Sequence, residues 1–393
     1  MGEERSYRWL KAVLAFWVLF LGSGLGAEPE SSSEASADQR ILAEFTIAKA
    51  GGPILLPVTL KGKEYLFVLD TGCSHTVFDT SLKHELGDVK RIERGQTAAG
   101  PMEAEFFDAP EAFLGPFNMQ DCGEVFCSNL RMMSLIEGKR ISGVIGLNFL
   151  RKYVVQIDFD KGVVSFLQPI KGQNPDWGEE LEINYDSIGW PHITGNIHDG
   201  IKVDFVIDTG NNSSGDLGSK IFKEIISKKE METSETLAAT AAGTIRLREA
   251  RITNLRVGSF EYRDLIFGEG MLSCLGLSFL SRHLVTFDFP NNRIYLKKGK
   301  DFKKIDEADM SGLHLLRISN KTIVHSVDEG SPAQKAGIEA KDVILKIGNE
   351  GVNIYNMWKL RRILKSRDKR KITMTIRRGN DIKEVSFLLE KKI

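Results

Sequence analysis

Two aspartates stand out for the chemistry they could do, Asp70 in "YLFVLDTGCSHTVF" and Asp208 in "IKVDFVIDTGNNSS". Each ends an apolar run of strand-forming residues, where burial makes a charge costly, and each is followed at once by Thr and Gly. Two carboxylates within hydrogen-bonding reach in a poorly hydrated site cannot both be charged cheaply. Such a pair holds one proton between them over a broad acidic range. One member can then act as general base toward a water while the other donates a proton to a carbonyl oxygen. That would suffice to hydrolyse an amide with neither a metal nor a covalent intermediate. The flanking residues suit the task. Gly72 and Gly210 permit tight turns and close backbone approach, and the Thr71 and Thr209 hydroxyls could bond across an interface and hold two loops in register.

The elements that would bring these aspartates together are legible as a repeat. "PILLPVTLKGKEYLFVLDTGCSHT" from Pro53 aligns without gaps on "PHITGNIHDGIKVDFVIDTGNNSS" from Pro191, a shift of 138. "TAAG" at Thr97 recurs at Thr240, and "VIGLNFLRKYVVQIDFDKGVVSF" from Val144 recurs as "CLGLSFLSRHLVTFDFPNNRIYL" from Cys274. Three matches in one order at nearly constant shift indicate duplication. Each half is rich in short strands bounded by Gly, Pro, Asn and Asp, with hairpin turns expected at Asp160 to Gly162 and Pro290 to Asn292. Helical patterning is confined to short pieces such as "SKIFKEIISKKE". The expectation is two similar, mainly β lobes at residues 41–170 and 171–300, joined by "QPIKGQNPDWGEE", with Asp70 and Asp208 meeting at a pseudo-two-fold axis.

With 393 residues and 42% hydrophobic composition, the chain can bury several cores. Basic and acidic residues number 53 each, which argues against a nucleic-acid partner. The balance is uneven: 18 basic against 10 acidic residues follow from Ala308 onward. Arg5, Arg8 and Lys11, the apolar "AVLAFWVLFLG" and the small-residue "SGLGA" read as a signal peptide over residues 1–27, with a polar leader at 28–40. The expected location is periplasmic or extracellular, with a membrane contact only if that segment stays uncleaved. Four cysteines are too few for a disulfide scaffold, although Cys122 and Cys127 could close a small loop in an exported protein. No CxxC pair or HExxH helix supports a metal site, and no cofactor is expected.

The paired motifs resemble those of aspartic proteases of the pepsin and retropepsin superfamily. In that family each lobe carries a hydrophobic-hydrophobic-Asp-Thr-Gly loop and, later, a hydrophobic-hydrophobic-Gly segment packed beneath it. Here these are "VLDTG" with "VIG" at Val144 to Gly146, and "VIDTG" with "CLG" at Cys274 to Gly276. The resemblance implies a bilobal, pepsin-like double β-barrel, the acid protease fold. It also implies an endopeptidase with Asp70 and Asp208 catalytic, supported by Thr71, Gly72, Ser74, Thr209 and Gly210. The second loop departs from the family, reading "DTGNN", so that Asn211, Asn212 or Ser213 would have to replace its usual Ser or Thr. By position, Thr97 to Gly100 and Thr240 to Gly243 are the flap candidates. Because one chain holds both loops, a monomer is expected.

From about residue 308 the repeat gives way to "GSPAQKAGI" and "DVILKIGNEGV", an amphipathic helix in "IYNMWKLRRILKSR" and a hairpin around Gly379 and Asn380. This order resembles a PDZ domain, at residues 308–393. In that family an extended peptide joins a strand edge, and its carboxylate is held by a loop that corresponds here to Gly312, Leu313, His314 and Leu315. The partners implied are peptide or protein substrates and a PDZ peptide ligand. Two alternatives stand beside the peptidase. One is a noncatalytic peptide-binding protein on the same fold, motivated by the altered second loop. The other is a serine protease, for which His75, His192 and His283 stand in no matching context and no GxSxG occurs.

Overall fold

The computed structural model describes residues 40–393 apart from 50, 51, 98, 99, 171, 173, 199, 241 and 242. The expected signal peptide and all of the expected leader but Arg40 lie outside the described residues, as do Ala98, Ala99, Ala241 and Ala242 of the flap candidates. Among the described residues no helix is long and apolar enough to cross a membrane.

The chain is mainly β, and its repeat is a repeat of sheets. One sheet of nine strands is built between Leu55 and Ile145, and one of ten between Asn184 and Leu275. In the first, strand Leu55–Leu60 turns back into Lys63–Leu69, whose end at Leu69 is buried and delivers Asp70. In the second, Pro191–Ile197 turns back into Ile201–Ile207 and delivers Asp208. The alternation of buried and partly buried residues along Pro191–Ile197 is what a strand with one face turned to the core requires.

A third sheet joins the halves. Its order is Ile41–Thr46, Val163–Leu167, Val154–Asp158, His283–Asp288, Arg293–Lys298 and Glu179–Glu182. The hairpins expected around Asp160 and Pro290 are both present, and they meet antiparallel at its centre, where Gln156 opposes Thr286 and donates to its hydroxyl at 2.9 Å. A continuous apolar core runs beneath all three sheets. The helix Ser219–Lys229 lies on the second lobe with Phe222 and Ile225 buried, as its sequence pattern predicts.

The cysteines differ from one expectation. All four are free, so Cys122 and Cys127 are not bridged. Cys122 ends the turn Met119–Cys122 with its Sγ 3.6 Å from Thr76 Oγ1, whereas Cys127 is buried within strand Glu124–Ser128. Strand pairing fixes Cys127 between Phe78 and Glu105, whereas the Cys122 thiol is directed to the Thr76 hydroxyl.

The last 80 or so residues form a separate five-strand path, Leu313–Ile318, Lys321–Val327, Val343–Ile347, Lys371–Arg378 and Asp381–Leu388, over their own core. Helix Met357–Leu364 buries Met357, Leu360 and Leu364 in that core. The hairpin around Gly379 is present, with Gly379 at φ 60°.

Candidate active site

The turn after each strand puts the two aspartates face to face. Asp70 is held from below by its own amide, which donates to the Ile145 carbonyl at 3.0 Å, and Asp208 likewise by the Leu275 carbonyl at 3.0 Å. The segments Gly143–Ile145 and Cys274–Leu275 run parallel beside the aspartate strands and end in glycines that the loops cover. A Cβ on Gly146 would stand 2.4 Å from the His75 carbonyl carbon, and one on Gly276 would stand 2.5 Å from the Ser213 carbonyl oxygen. Only glycine fits at these two positions, which is why the hydrophobic-hydrophobic-Gly pattern accompanies each Asp-Thr-Gly loop.

The threonines tie the lobes together. Thr71 Oγ1 donates to the Ile207 carbonyl at 2.6 Å and accepts the Thr209 amide at 3.0 Å. Thr209 Oγ1 donates to the Leu69 carbonyl at 2.9 Å and accepts the Thr71 amide at 3.0 Å. Both side chains are fully buried. These four bonds fix one loop against the other and thereby set the separation of the carboxylates.

Gly72 donates its amide to Asp70 Oδ1 at 2.8 Å, and Gly210 donates its amide to Asp208 Oδ1 at 2.9 Å. Across the axis the glycines also make room. A Cβ on Gly72 would lie 2.6 Å from Asp208 Oδ1, and one on Gly210 would lie 2.4 Å from Asp70 Oδ2. Each carboxylate therefore rests on the opposite loop's glycine.

Burial is the first cause raising the pKa of Asp70, and the charge of Asp208 is the second, so its carboxyl is held well above the usual carboxylate range. Asp208 is also raised by burial, but donors from Gly210, Asp70 and Asn211 oppose the shift. Burial of both carboxyls and repulsion between their charges therefore keep one proton shared by the pair.

Outer support differs from the expectation. Ser74 turns its hydroxyl to His75 Nδ1 at 3.0 Å rather than to Asp70. In the second loop the main-chain amide of Asn211 reaches Asp208 Oδ1 at 3.2 Å, while the Asn212 side chain donates to Glu137 Oε1 at 3.3 Å and Ser213 Oγ donates to Asn211 Oδ1 at 2.8 Å. The Asn-Asn pair thus leaves Asp208 with two amide donors. Among the flap candidates, Thr97 pairs with Gly100 at the end of hairpin Arg91–Thr97 and Gly100–Asp108, and Thr240 pairs with Gly243 at the end of Thr233–Thr240 and Gly243–Ile252. The two hairpins occupy equivalent edges of their sheets.

The PDZ-like loop is occupied by its own chain. Gly312, at φ 75°, donates its amide to Asp309 Oδ1 at 2.7 Å, and Leu313 donates its amide to Ser311 Oγ at 3.1 Å. His314 Nε2 lies 2.7 Å from Asp328 Oδ1, and Leu313 and Leu315 are buried. Two of the amides that the resemblance assigns to carboxylate capture are therefore already used. The strand Leu313–Ile318 is an edge of its sheet, and the helix Arg131–Glu137 of the first lobe packs beside it and against Met357–Leu364. Gly138, the left-handed cap of that helix, sits where a Cβ would lie 2.8 Å from Met357 Cγ and 3.2 Å from Arg317 Cδ. The sequence pattern did not reveal this short helix, Glu137, Arg361 or the acid Asp216 behind Asp208. Asp216 was detectable only as a polar break in the apolar second copy of the repeat.

Two parts of the chain match known families. Residues 56–149 match the family described as aspartyl protease, and residues 323–378 match the family described as PDZ domain. Probable CtpA-like serine proteases of Staphylococcus aureus strains COL and N315 are 29% identical over 94 residues, which is 23% of this chain and 19% of theirs. The chain thus matches about a fifth of the length of those curated relatives. A solved photosystem II D1 C-terminal processing protease aligns over 21% of this chain and 23% of its own, at 19% identity and a TM-score of 0.20. The chain carries an aspartyl-protease-like domain followed by a PDZ domain.

Proposed function

We propose that the protein is an exported aspartic endopeptidase of the pepsin and retropepsin type, with a PDZ domain that binds peptide or protein substrates. The observation that carries this reading is the reciprocal packing of Asp70 and Asp208 on each other's Gly210 and Gly72, locked by Thr71 and Thr209. In the proposed reaction Asp208 takes a proton from water as the water oxygen bonds to the scissile carbonyl carbon. Asp70 gives its proton to the carbonyl oxygen, forming a neutral tetrahedral diol. Return of a hydroxyl proton to Asp70, transfer of the other proton from Asp208 to the amide nitrogen, and rupture of the C–N bond then release acid and amine. A single chain supplies both loops, so a monomer is sufficient.

Serine-type chemistry, suggested by the names of the Staphylococcus aureus relatives, has one contact in its favour, Ser74 Oγ to His75 Nδ1 at 3.0 Å. Among the described residues no carboxylate hydrogen-bonds to that ring, which packs edge-on to Phe106 instead. The test is to incubate the protein with a proteome-derived peptide mixture and map fragments by mass spectrometry. Asp70→Asn and Asp208→Asn are expected to abolish cleavage, and Ser74→Ala to preserve it. Full activity in either aspartate variant would overturn the aspartic reading, and binding without fragments at any pH would favour a noncatalytic peptide-binding protein.

A further inference from the structure

The two lobes support their aspartates with different residues. Strand pairing allows a position-by-position comparison. Val144 pairs with Val68 on one side and Val77 on the other, and in the second lobe Cys274 pairs with Val206 and Asp216. Asp216 therefore stands where the first lobe has Val77. Asn211 stands where it has Cys73, three residues after the aspartate in each loop.

In the first lobe this region is apolar: Val68, Val77 and Val144 form a cluster against which Cys73 packs. In the second it is a polar relay. The Asn211 amide donates to Asp208 Oδ1 at 3.2 Å, its side-chain Nδ2 donates to Asp216 Oδ2 at 2.8 Å, and Cys274 Sγ lies 3.7 Å from the same oxygen. The neighbouring strand is hollowed out to admit the acid. A Cβ on Gly268 would stand 2.3 Å from Asp216 Oδ1, and one on Gly270 would stand 2.7 Å from Asp216 Cβ. A partly buried acid replacing a valine, with two glycines clearing space and one asparagine joining it to Asp208, is a costly arrangement for packing alone.

We propose that Asp216 is a positioning residue for the aspartate pair: its negative charge, acting on Asp208 across Asn211, keeps the shared proton on the pair up to near-neutral pH. The proposal rests on the aspartic reading above. The charged groups around Asp216 leave its charge uncancelled. Asp208 faces it through Asn211, Cys274 carries a thiol, and Glu269 on the adjoining strand is already paired with Arg248 at 2.7 Å. Among the described residues no cation pairs with Asp216. Burial, followed by repulsion from Asp208, raises its own carboxyl to about 6. Above that pH it is an anion, and by reciprocity an anion there raises the proton affinity of the pair.

The experiment measures kcat/KM against pH for the wild type, Asp216→Asn and Asp216→Val, with Asp70→Asn in parallel. It also follows the aspartate carboxyl titrations by carbon-13 NMR, which needs no turnover. Removing the charge is expected to move the basic limb, and the upper titration of the pair, down by about one pH unit, as a unit charge roughly 10 Å away at an effective dielectric of about 20 would do. Asp216→Val gives this position the first lobe's residue, and Asp216→Asn keeps the shape should the valine disturb the fold. Unmoved titrations in both variants, or an equal loss at every pH, would overturn the proposal. An Asp70→Asn protein that still cleaves would instead overturn the aspartic reading, leaving the NMR shift to decide the role of Asp216.

Discussion

The Arg361 guanidinium donates to the Ile136 carbonyl at 2.7 Å, reaching from the PDZ helix to the last turn of a first-lobe helix. The neighbouring Glu137 accepts from Asn212, so the PDZ domain and the second aspartate loop grip the same turn. A cation at a helix C-terminus satisfies carbonyls that have no partner within the helix. Arg251 adds a second tie, donating to the main-chain oxygen of Ile393 at 3.0 Å from the second lobe. Arg361→Ala is expected to destabilise the chain by about 1–3 kcal/mol, because a charged hydrogen bond in a largely buried contact is lost. Differential scanning calorimetry would read this, and limited proteolysis should find the linker before Met310 more easily cut. An unchanged melting curve and cleavage pattern would show that the contact is dispensable.

Thr71→Val and Thr209→Val keep shape but remove a hydroxyl that both donates and accepts across the lobe interface. Each would leave one amide and one carbonyl buried without a partner, at an expected cost of about 2–5 kcal/mol. Chemical denaturation measures the cost, and the double variant should fall short of additivity, since the four bonds form one closed set.

Gly72→Ala and Gly210→Ala test the reciprocal packing. The added methyl would have to displace the opposing carboxylate, whose oxygens lie 2.6 and 2.4 Å from the two Cβ positions. Activity should drop by at least about 10²-fold, the range that positioned acid–base catalysis contributes. Steady-state assays beside a melting curve would separate this from unfolding; wild-type rates in either variant would show that the loops yield.

Stability should depend on pH in opposite directions at the partly buried Asp216 and the buried His283. Asp216 has its folded value raised from 3.8 to about 6, so its contribution is fully present below pH 3.8 and is lost as pH rises toward 6, a loss of about 3 kcal/mol. His283 is 1% exposed, beside Tyr262 Oη at 2.9 Å, and burial lowers it from 6.5 to about 4. Its contribution is present above pH 6.5 and is lost as pH falls toward 4, also by about 3 kcal/mol. Denaturation curves across pH 3.5 to 7.5 should show Asp216→Asn gaining on the wild type at the neutral end. His283→Phe should lose the acid-side decline between pH 6.5 and 4, and a parallel profile in either variant would contradict its assignment.

What the sequence determined by itself was the local chemistry and its duplication. The two Asp-Thr-Gly turns, the glycines that end "VIG" and "CLG", the hairpins around Asp160 and Pro290, and the amphipathic helix at Met357 follow from periodicity and turn residues, which act over a few positions. Tertiary structure decided what depends on distance through space. Cys122 and Cys127 are near in sequence yet both free, one thiol directed to Thr76 and the other held in the sheet opposite Phe78. Ser74 turned to His75, and the Asn211 amide, rather than a hydroxyl, reached Asp208. Gly312 and Leu313 spent their amides on Asp309 and Ser311. Asp216 shows the reason most plainly. In the chain it is one acid among 53, and it becomes part of the site only because the fold brings its carboxylate to Asn211 and removes the water that would have screened it.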